Sequence, residues 1–263
     1  MDIANWVIDR VEGWIDESDG QLVLVRSVAD LDRCLDDGGP VGVLLGVQGG
    51  HVLEGDVRNI GRLSDRGVRM FAPAHVMDND AVGSGTGKRA SGLTGFGREV
   101  IAELQARRVI VDLAHMSVAG IEQALPLLTR PFVLSHGALR DDSVVPRPGR
   151  FRRYNATTRN VPADKAREVG TRDGLFGVVL ATQLLGGSTV EHAVRMIRRA
   201  LAVAGDANVV LGSDMDGALK MLIDVDGLPA LADALLADGI SDGVVSAFLG
   251  RNAARFLRSA LPS

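Results

Sequence analysis

The chain has 263 residues, of which 46% are hydrophobic and 24% are charged, and its formal net charge is −4. These values are typical of one enzyme-sized globular domain and argue against disorder. The small net charge gives no electrostatic reason to expect nucleic acid or an anionic membrane as a partner. The one cysteine, Cys34, excludes an internal disulfide and a cysteine metal cage.

Neither a membrane helix nor a secretion signal is indicated by the sequence. No apolar run approaches the roughly 20 residues that a membrane helix needs. The first residues, MDIANWVIDRVEGW, lack the basic-then-apolar order of a signal peptide. We therefore expect a soluble, cytoplasmic protein.

Apolar runs and amphipathic stretches alternate along most of the chain, which predicts parallel strands joined by crossover helices. Val7, Val11 and Trp14 share one face of a first predicted helix. Six strands are predicted, at residues 41–47, 68–74, 109–114, 132–135, 175–181 and 209–212. Further helices are predicted at residues 55–65, 95–107, 118–128, 162–169, 189–204, 228–237 and 242–257.

Residues 139–159 interrupt this alternation with an Arg- and Pro-rich segment that has little periodicity. A loop of this length inside a compact domain is usually a lid, a binding loop or a disordered insertion. Because the segment closely follows His136, we expect it to lie over a site that contains this histidine.

Four predicted strands end in polar residues that carry chemistry. VRMFAPAH ends at His75, VIVDLAH at His115, PFVLSH at His136 and NVVLGSD at Asp214. Polar groups at the carboxyl ends of buried parallel strands share one site, so the pattern predicts a metal or acid/base site. His115 and His136 follow neighbouring strands, and their neutral imidazoles can reach one zinc ion. The alternative is that each histidine only caps its strand by hydrogen bonding to a loop.

An acid and an arginine complete the predicted site. Asp214, in GSDMDG, is well placed as a general base or metal ligand, whereas Asp216 fits a turn in which its carboxylate accepts backbone N–H groups. Arg159, in RNVP, precedes a helix with Pro162 in its first turn. The planar guanidinium group of Arg159 is therefore expected at the mouth of the site, where it can bind a carboxylate. The alternative is an arginine that is only solvated.

In this order, these segments resemble the renal or membrane dipeptidase family of zinc peptidases. The matching stretches cover about two thirds of the chain: VQGGH (47–51), AH (ending at 75), GLTGFGREVIAELQ (92–105), VDLAHMS (111–117), PFVLSH (131–136), RNVP (159–162) and GSDMDG (212–217).

The resemblance implies a (β/α)₈ TIM barrel that hydrolyses dipeptides with two zinc ions. It implies that His115 and His136 bind the second zinc and that His75 steadies the scissile carbonyl. It implies further that Arg159 binds the substrate carboxylate and that Asp214 handles the proton of the attacking water. The chemistry would be metal-assisted hydrolysis.

The chain departs from the family pattern at the first metal. The family holds that ion with a His-x-Asp pair, which occurs nowhere in this sequence, and neither His51 nor His192 replaces it. Gln48 stands where the family has the glutamate that bridges the two zincs, and a neutral amide adds no charge to offset two dications. We therefore expect one zinc ion rather than two, with Gln48 as a degenerate bridging position.

On the family's strand order the first two barrel strands are absent, which leaves an incomplete α/β barrel of about six parallel strands in a single domain over residues 1–263. Open edges expose unpaired backbone, so a homodimer or a partner chain is expected to cover them. The chain is a fragment, half of a split protein, or a descendant that has lost the first metal; Gln48 argues against simple truncation.

Three functions remain open from the sequence alone. The first is metal-dependent hydrolysis of dipeptides, weak or dependent on a partner. The second is a catalytically inactive protein that binds a small peptide or amino-acid derivative. The third is an unrelated barrel hydrolase acting on a cyclic amide. The long loop also offers Arg152, Arg153 and Tyr154 in place of Arg159, or as contacts for an acidic partner.

Overall fold

The computed structural model describes residues 1–141 and 156–263, with only the backbone of residues 156 and 157. Its strands form one parallel pair and one six-stranded parallel sheet. The pair consists of β1 (Leu22–Leu24) and β2 (Val41–Val43). The sheet consists, in spatial order, of β3 (Leu45–Gln48), β4 (Val68–Ala72), β5 (Ile110–Asp112), β6 (Phe132–Gly137), β7 (Leu175–Val178) and β8 (Val209–Leu211).

Helices alternate with the strands, as in a barrel of β/α units. They are α1 (Asp2–Glu17), α2 (Val28–Leu35), α3 (Asn59–Asp65), α4 (Gly95–Ala106), α5 (Val118–Ala124), α6 (Ala156–Arg159), α7 (Ala163–Thr171), α8 (Thr182–Leu185), α9 (Val190–Ala204), α10 (Leu228–Ala237), α11 (Asp242–Ser246) and α12 (Asn252–Ala260). Short 3-10 turns at Gly50–Leu53, Leu125–Leu127 and Val225–Gly227 and a π-helical segment at Ala247–Arg251 complete the described elements.

The central strands are apolar because both of their faces are buried. All residues of β5 and β7 are buried, and β6 has a single half-buried position. Phe71, Phe176 and Leu134 are among the largest fully buried side chains. Double burial excludes the alternation of apolar and polar residues that marks a half-exposed strand, which is why the sequence shows continuous runs.

The predicted α/β architecture with six parallel strands is confirmed, and the sheet does not close into a barrel. The prediction of one strand over residues 41–47 is wrong, since the run divides at Leu44. Its first half, β2, pairs with β1, and its second half, β3, pairs with β4. A continuous apolar run does not reveal a change of partner. The short β1 and α2 were missed by the sequence analysis.

The sheet has two edge strands, β3 and β8, and the residues of β3 alternate between half-buried and exposed. The first half of α1 lies beside β3 and leaves an apolar groove of about 610 Å³. The predicted shared face of α1 is not buried in this chain, because Val7 is 46% and Trp14 is 54% exposed. That a second copy or a partner chain covers the open edges stays a prediction.

The predicted loop over the site and the predicted lack of a membrane helix differ in what the described residues show. Residues 142–155, with Arg152, Arg153 and Tyr154, lie outside the described residues, so the placement of the long loop over the site stays a prediction. In the parts of the chain that are described, no helix has both the length and the apolar character needed to cross a membrane.

Two glycines let the backbones of β6, β7 and the end of β8 approach very closely. An added Cβ at Gly177 would lie 1.8 Å from the backbone oxygen of Ser135, and one at Gly212 would lie 2.0 Å from the same oxygen. Backbone cannot retreat from such a contact without moving its strand, so both positions require glycine. This close approach fixes Ser135, the residue directly before His136.

We expect Gly177→Ala to lower the free energy of unfolding by about 3 kcal/mol, the upper end of overpacking effects, because its methyl group would collide with a strand backbone. Gly13→Ala is the matched control. Apart from the backbone of α1 itself, no atom lies within 4 Å of a Cβ built at Gly13, and alanine there should stabilise the helix by about 0.5–1 kcal/mol. Urea denaturation of both variants measures these changes. Equal stability of the two variants would contradict the close approach.

Candidate functional site

The polar strand ends predicted from the sequence meet at one end of the six-stranded sheet. His75 and His115 lie three residues beyond β4 and β5, His136 lies near the end of β6, and Asp214 lies three residues beyond β8. Because the strands are parallel, their carboxyl ends share one end of the sheet. The site therefore draws on four strands of a single rigid layer.

The three histidine rings are in direct contact. The Nε2 atoms of His115 and His136 lie 2.9 Å apart. The ring of His115 also packs edge-on against His75, with 4.7 Å between the ring centroids and 72° between the planes. His115 thus occupies the centre of the cluster, and the Nδ1 atom of its ring is buried without a hydrogen-bond partner.

Two site residues have left-handed backbone conformations. The φ angle is 65° at His115 and 64° at Asp214. A residue with a Cβ pays about 1–2 kcal/mol for this conformation, and such outliers concentrate at functional sites. The backbone N–H of Gly85 donates to the carbonyl of His115 at 2.8 Å, and the backbone N–H of Leu180 donates to Ser213 at 3.1 Å, which hold the two turns.

Burial keeps the imidazoles neutral. Desolvation, reinforced by the Arg159 guanidinium, lowers the pKa of His136 to about 3 and holds the pKa of His115 still further below its usual range. The pKa of His75 is lowered by burial and then by His51 and Arg159. The neutral imidazole is the form that binds metal ions.

Asp214 faces the histidine pair, and Asp216 does not share its role. The Oδ1 atom of Asp214 lies 3.7 Å from Nε2 of His136. Burial, and then the charge of Asp216, raise the pKa of Asp214, as a proton-transfer group requires. The Oδ1 atom of Asp216 accepts the backbone N–H of Ala218 at 2.8 Å, so its predicted turn role is confirmed.

Arg159 is a buried cation beside the histidines and not a solvated arginine. It is 5% exposed, and its Nη2 atom donates to the backbone oxygen of His136 at 3.0 Å. The chain after it is anchored, because Val161 donates its N–H to Ala138 and accepts from Arg140, each at 2.8 Å. The placement of Arg159 is therefore set by backbone pairing with the chain that follows β6.

Gln48 lies at the carboxyl end of β3, where it pairs in register with Ala72, and its side chain is exposed. Across the described residues, no hydrogen bond joins Gln48 to His115, His136 or Asp214. The structure thus brings His75, Arg159 and Asp214 to the histidine pair and leaves Gln48 on the edge strand.

Two site residues were missed by the sequence analysis, Asp112 and Ser135. The Oγ atom of Ser135 lies 2.5 Å from Oδ2 of Asp112 and 2.7 Å from Nδ1 of His136. Asp112 is 1% exposed, and burial raises its pKa against the effect of its hydrogen-bond donors. Their signal in the sequence is a polar residue inside each of two apolar runs, VIVDLAH and PFVLSH.

The donor atoms fit one metal ion in part. Two neutral imidazole nitrogens 2.9 Å apart can bind a single zinc ion at about 2.0–2.1 Å each, and the carboxylate of Asp214 lies next to them. Among residues 1–141 and 156–263, however, no group of three or more His, Cys, Asp or Glu side chains is arranged to hold a metal. The residues fit an ion held by two protein nitrogens whose other ligands come from elsewhere.

Several known proteins resemble this chain over most of its length. A protein of Klebsiella pneumoniae described as an uncharacterized protein in the pqqA 5′ region is 27% identical over an alignment of 260 positions that covers 93% of this chain and 91% of that protein. The crystal structure of the dipeptidase AC, a metallo peptidase of family M19, has a TM-score of 0.84 at 23% identity and covers 97% of this chain and 74% of its own.

A second solved structure has the same fold. It is a metallo peptidase from Rhodobacter sphaeroides liganded with a phosphinate mimic of the dipeptide L-Ala-D-Ala. Its TM-score is 0.80 at 24% identity, with 94% of this chain and 71% of that chain covered. The sequence pattern of the family described as membrane dipeptidase (Peptidase family M19) matches residues 6–261. The chain therefore belongs to the membrane dipeptidase family, Peptidase family M19.

Proposed function

We propose that this chain hydrolyses dipeptides with one zinc-type metal ion held by His115 and His136. The observation that carries this proposal is the contact between the two neutral imidazoles, with Asp214 3.7 Å from one of them. Family membership supports the reaction class. The neutral side chain of Gln48 supports one ion rather than two, because it adds no negative charge to offset a second dication.

Each residue of the site has a role in this reaction. Asp214, whose pKa is raised by burial, accepts the proton of the attacking water and returns it to the leaving amine. His75, packed against His115, donates a hydrogen bond to the scissile carbonyl oxygen as negative charge develops there. A bound zinc ion lowers the pKa of water and polarises the carbonyl.

The substrate class follows from Arg159. A guanidinium buried beside the catalytic groups binds a carboxylate better than any neutral group, because its planar fork matches the two oxygens. A dipeptide places its free carboxylate a fixed, short distance from its one amide bond. The solved metallo peptidase with the L-Ala-D-Ala mimic supports alanyl dipeptides as the first compounds to assay.

A second candidate function is binding of a small peptide or amino-acid derivative without turnover. It is favoured by the exposed Gln48 and by the absence, in the described parts of the chain, of a three-residue metal group. Ligand-dependent thermal stabilisation without product, even with added zinc, would select this function. Multiple turnovers would exclude it.

We expect the zinc-loaded protein to cleave alanyl dipeptides, and His136→Ala to reduce kcat/KM by at least about 100-fold, because the variant loses a metal ligand and the partner of Asp214. The assay is release of free alanine, with zinc content measured on the same samples. His192→Ala is the matched control, since His192 lies at the start of α9 and pairs with Thr189. Equal loss in both variants, or no zinc bound by the wild type under zinc excess, would overturn the proposal.

We expect Arg159→Lys to raise KM for a dipeptide by about 10–100-fold, because lysine keeps the charge and loses the bidentate fork. The matched substrate is the same dipeptide with an amidated carboxyl terminus. For that compound the wild type and the variant should differ little. A variant equally impaired on both compounds would show that Arg159 does not read the carboxylate.

Acid should destabilise the metal-free protein through His136. An unfolded histidine takes up its proton near pH 6.5, whereas the folded pKa of His136 is lowered to about 3. Since the unfolded state binds more protons in this interval, stability is full above pH 6.5 and falls as the pH drops towards 3. The loss is at most about 1.4 kcal/mol per pH unit.

Urea denaturation at pH 7.5 and pH 5.0 measures this effect. His136→Gln should lose less stability than the wild type between the two pH values, whereas His192→Ala should match the wild type. An unchanged pH dependence in His136→Gln would contradict the neutral, buried state of His136.

A further inference from the structure

We propose that Asp112 and Ser135 are positioning residues that hold His136 as its Nδ1–H tautomer, so that its Nε2 lone pair faces His115 and the metal position. This inference deepens the function proposed above and rests on it for its purpose. Its geometry stands independently: a buried carboxylate, a hydroxyl and two imidazoles are joined by three consecutive hydrogen bonds.

The chain of hydrogen bonds begins at the Asp112 carboxylate, which only accepts. Its Oδ1 atom accepts the backbone N–H groups of Ala114 and Ser135, each at 2.9 Å. Its Oδ2 atom accepts the Ser135 hydroxyl at 2.5 Å. Three N–H and O–H donors converge on its two oxygens, and together with Arg159 they oppose the effect of burial, which raises the pKa of Asp112.

The hydrogen bond from the Ser135 hydroxyl to Asp112 determines which ring nitrogen of His136 carries the proton. A hydroxyl has one proton, and here it is donated to Asp112, so towards Nδ1 of His136 the same oxygen can only accept. Nδ1 must therefore carry the proton. A neutral imidazole has a single N–H group, which leaves a lone pair on Nε2 of His136.

In the contact between the two histidines, His115 is the hydrogen-bond donor and His136 is the acceptor. Nε2 of His136 now accepts from Nε2 of His115 at 2.9 Å, so His115 has its proton on Nε2 and a lone pair on Nδ1. This assignment agrees with the buried, unpartnered Nδ1 atom of His115, which has nothing to donate. For a cation to bind both Nε2 atoms with His115 still a neutral imidazole, the proton of His115 would move from Nε2 to Nδ1.

The backbone makes this arrangement rigid. The carbonyl of Ser135 is enclosed by Gly177 and Gly212, and the carbonyl of His136 accepts from Arg159. The backbone of Ser135 therefore cannot shift relative to Asp112 without moving its strand. Ligand orientation by a hydrogen-bonded carboxylate typically changes metal affinity by about 10–100-fold.

The opposite arrangement gives the opposite tautomer. If Asp112 carried a proton, it would donate to Ser135, and Ser135 would donate to Nδ1 of His136. The proton of His136 would then be on Nε2, where it blocks the metal position. Asp112→Asn creates this state at nearly constant size, because the amide NH₂ group donates where Oδ2 accepted.

The test is nitrogen-15 NMR of the metal-free protein with labelled histidine at pH 7.5, with the His136 signals assigned by their loss in His136→Gln. The wild type should show a protonated Nδ1 and an unprotonated Nε2 at His136. Asp112→Asn should reverse the two signals, and Ser135→Ala should abolish the preference. Zinc titration by chelator competition should give a dissociation constant about 10–100-fold higher in both variants.

Thr189→Val is the matched control, because Thr189 Oγ1 and His192 Nδ1 form a second hydroxyl–imidazole contact of 2.9 Å outside the site. It should change neither the His136 tautomer nor the zinc affinity. A wild-type His136 with its proton on Nε2 overturns the inference, whatever the activity. A wild type with the expected tautomer but without hydrolysis supports the positioning role and overturns the proposed function instead. Thermal melting confirms that each variant is folded.

Discussion

The geometry of the site depends on one buried carboxylate, that of Asp112. Asp112 forms the last registered pair of β5 and β6 with Val133, and beyond this pair its carboxylate accepts the N–H groups of Ala114 and Ser135 at 2.9 Å each. A fully buried carboxylate is stable only when its oxygens have donors. The same bonds fix the chain just before His115 and His136, so the 2.9 Å contact between their rings follows from backbone geometry.

The two histidines in contact belong to interior strands of the sheet, whereas Gln48 belongs to an edge strand. His115 follows β5 and His136 lies near the end of β6, and both strands are paired on both sides and buried on both faces, which holds the two side chains in place. Gln48 is carried by β3, which pairs with one neighbour and is half exposed. The sheet therefore constrains His115 and His136 more strongly than Gln48.

The sequence predicted the six-stranded sheet and the meeting of the strand ends, because double burial leaves continuous apolar runs and parallel strands end together. It did not predict β1, since three half-buried residues leave no pattern, and it did not show the exchange of partners at Leu44. Asp112 and Ser135 were missed for a related reason. From the sequence alone, a polar residue inside a strand only interrupts the apolar run, and its role becomes visible when its hydrogen-bond partner on the neighbouring strand is known.

Arg159 resolves an apparent conflict in the electrostatics of the site. A carboxylate 3.7 Å from an imidazole, as Asp214 is from His136, would ordinarily favour the protonated imidazole. Burial opposes this, and the buried charge of Arg159 adds to the opposition, so the pKa of His136 is lowered. Arg159 thus preserves the lone pairs that a metal requires. Under the proposed function the same guanidinium also binds the substrate carboxylate.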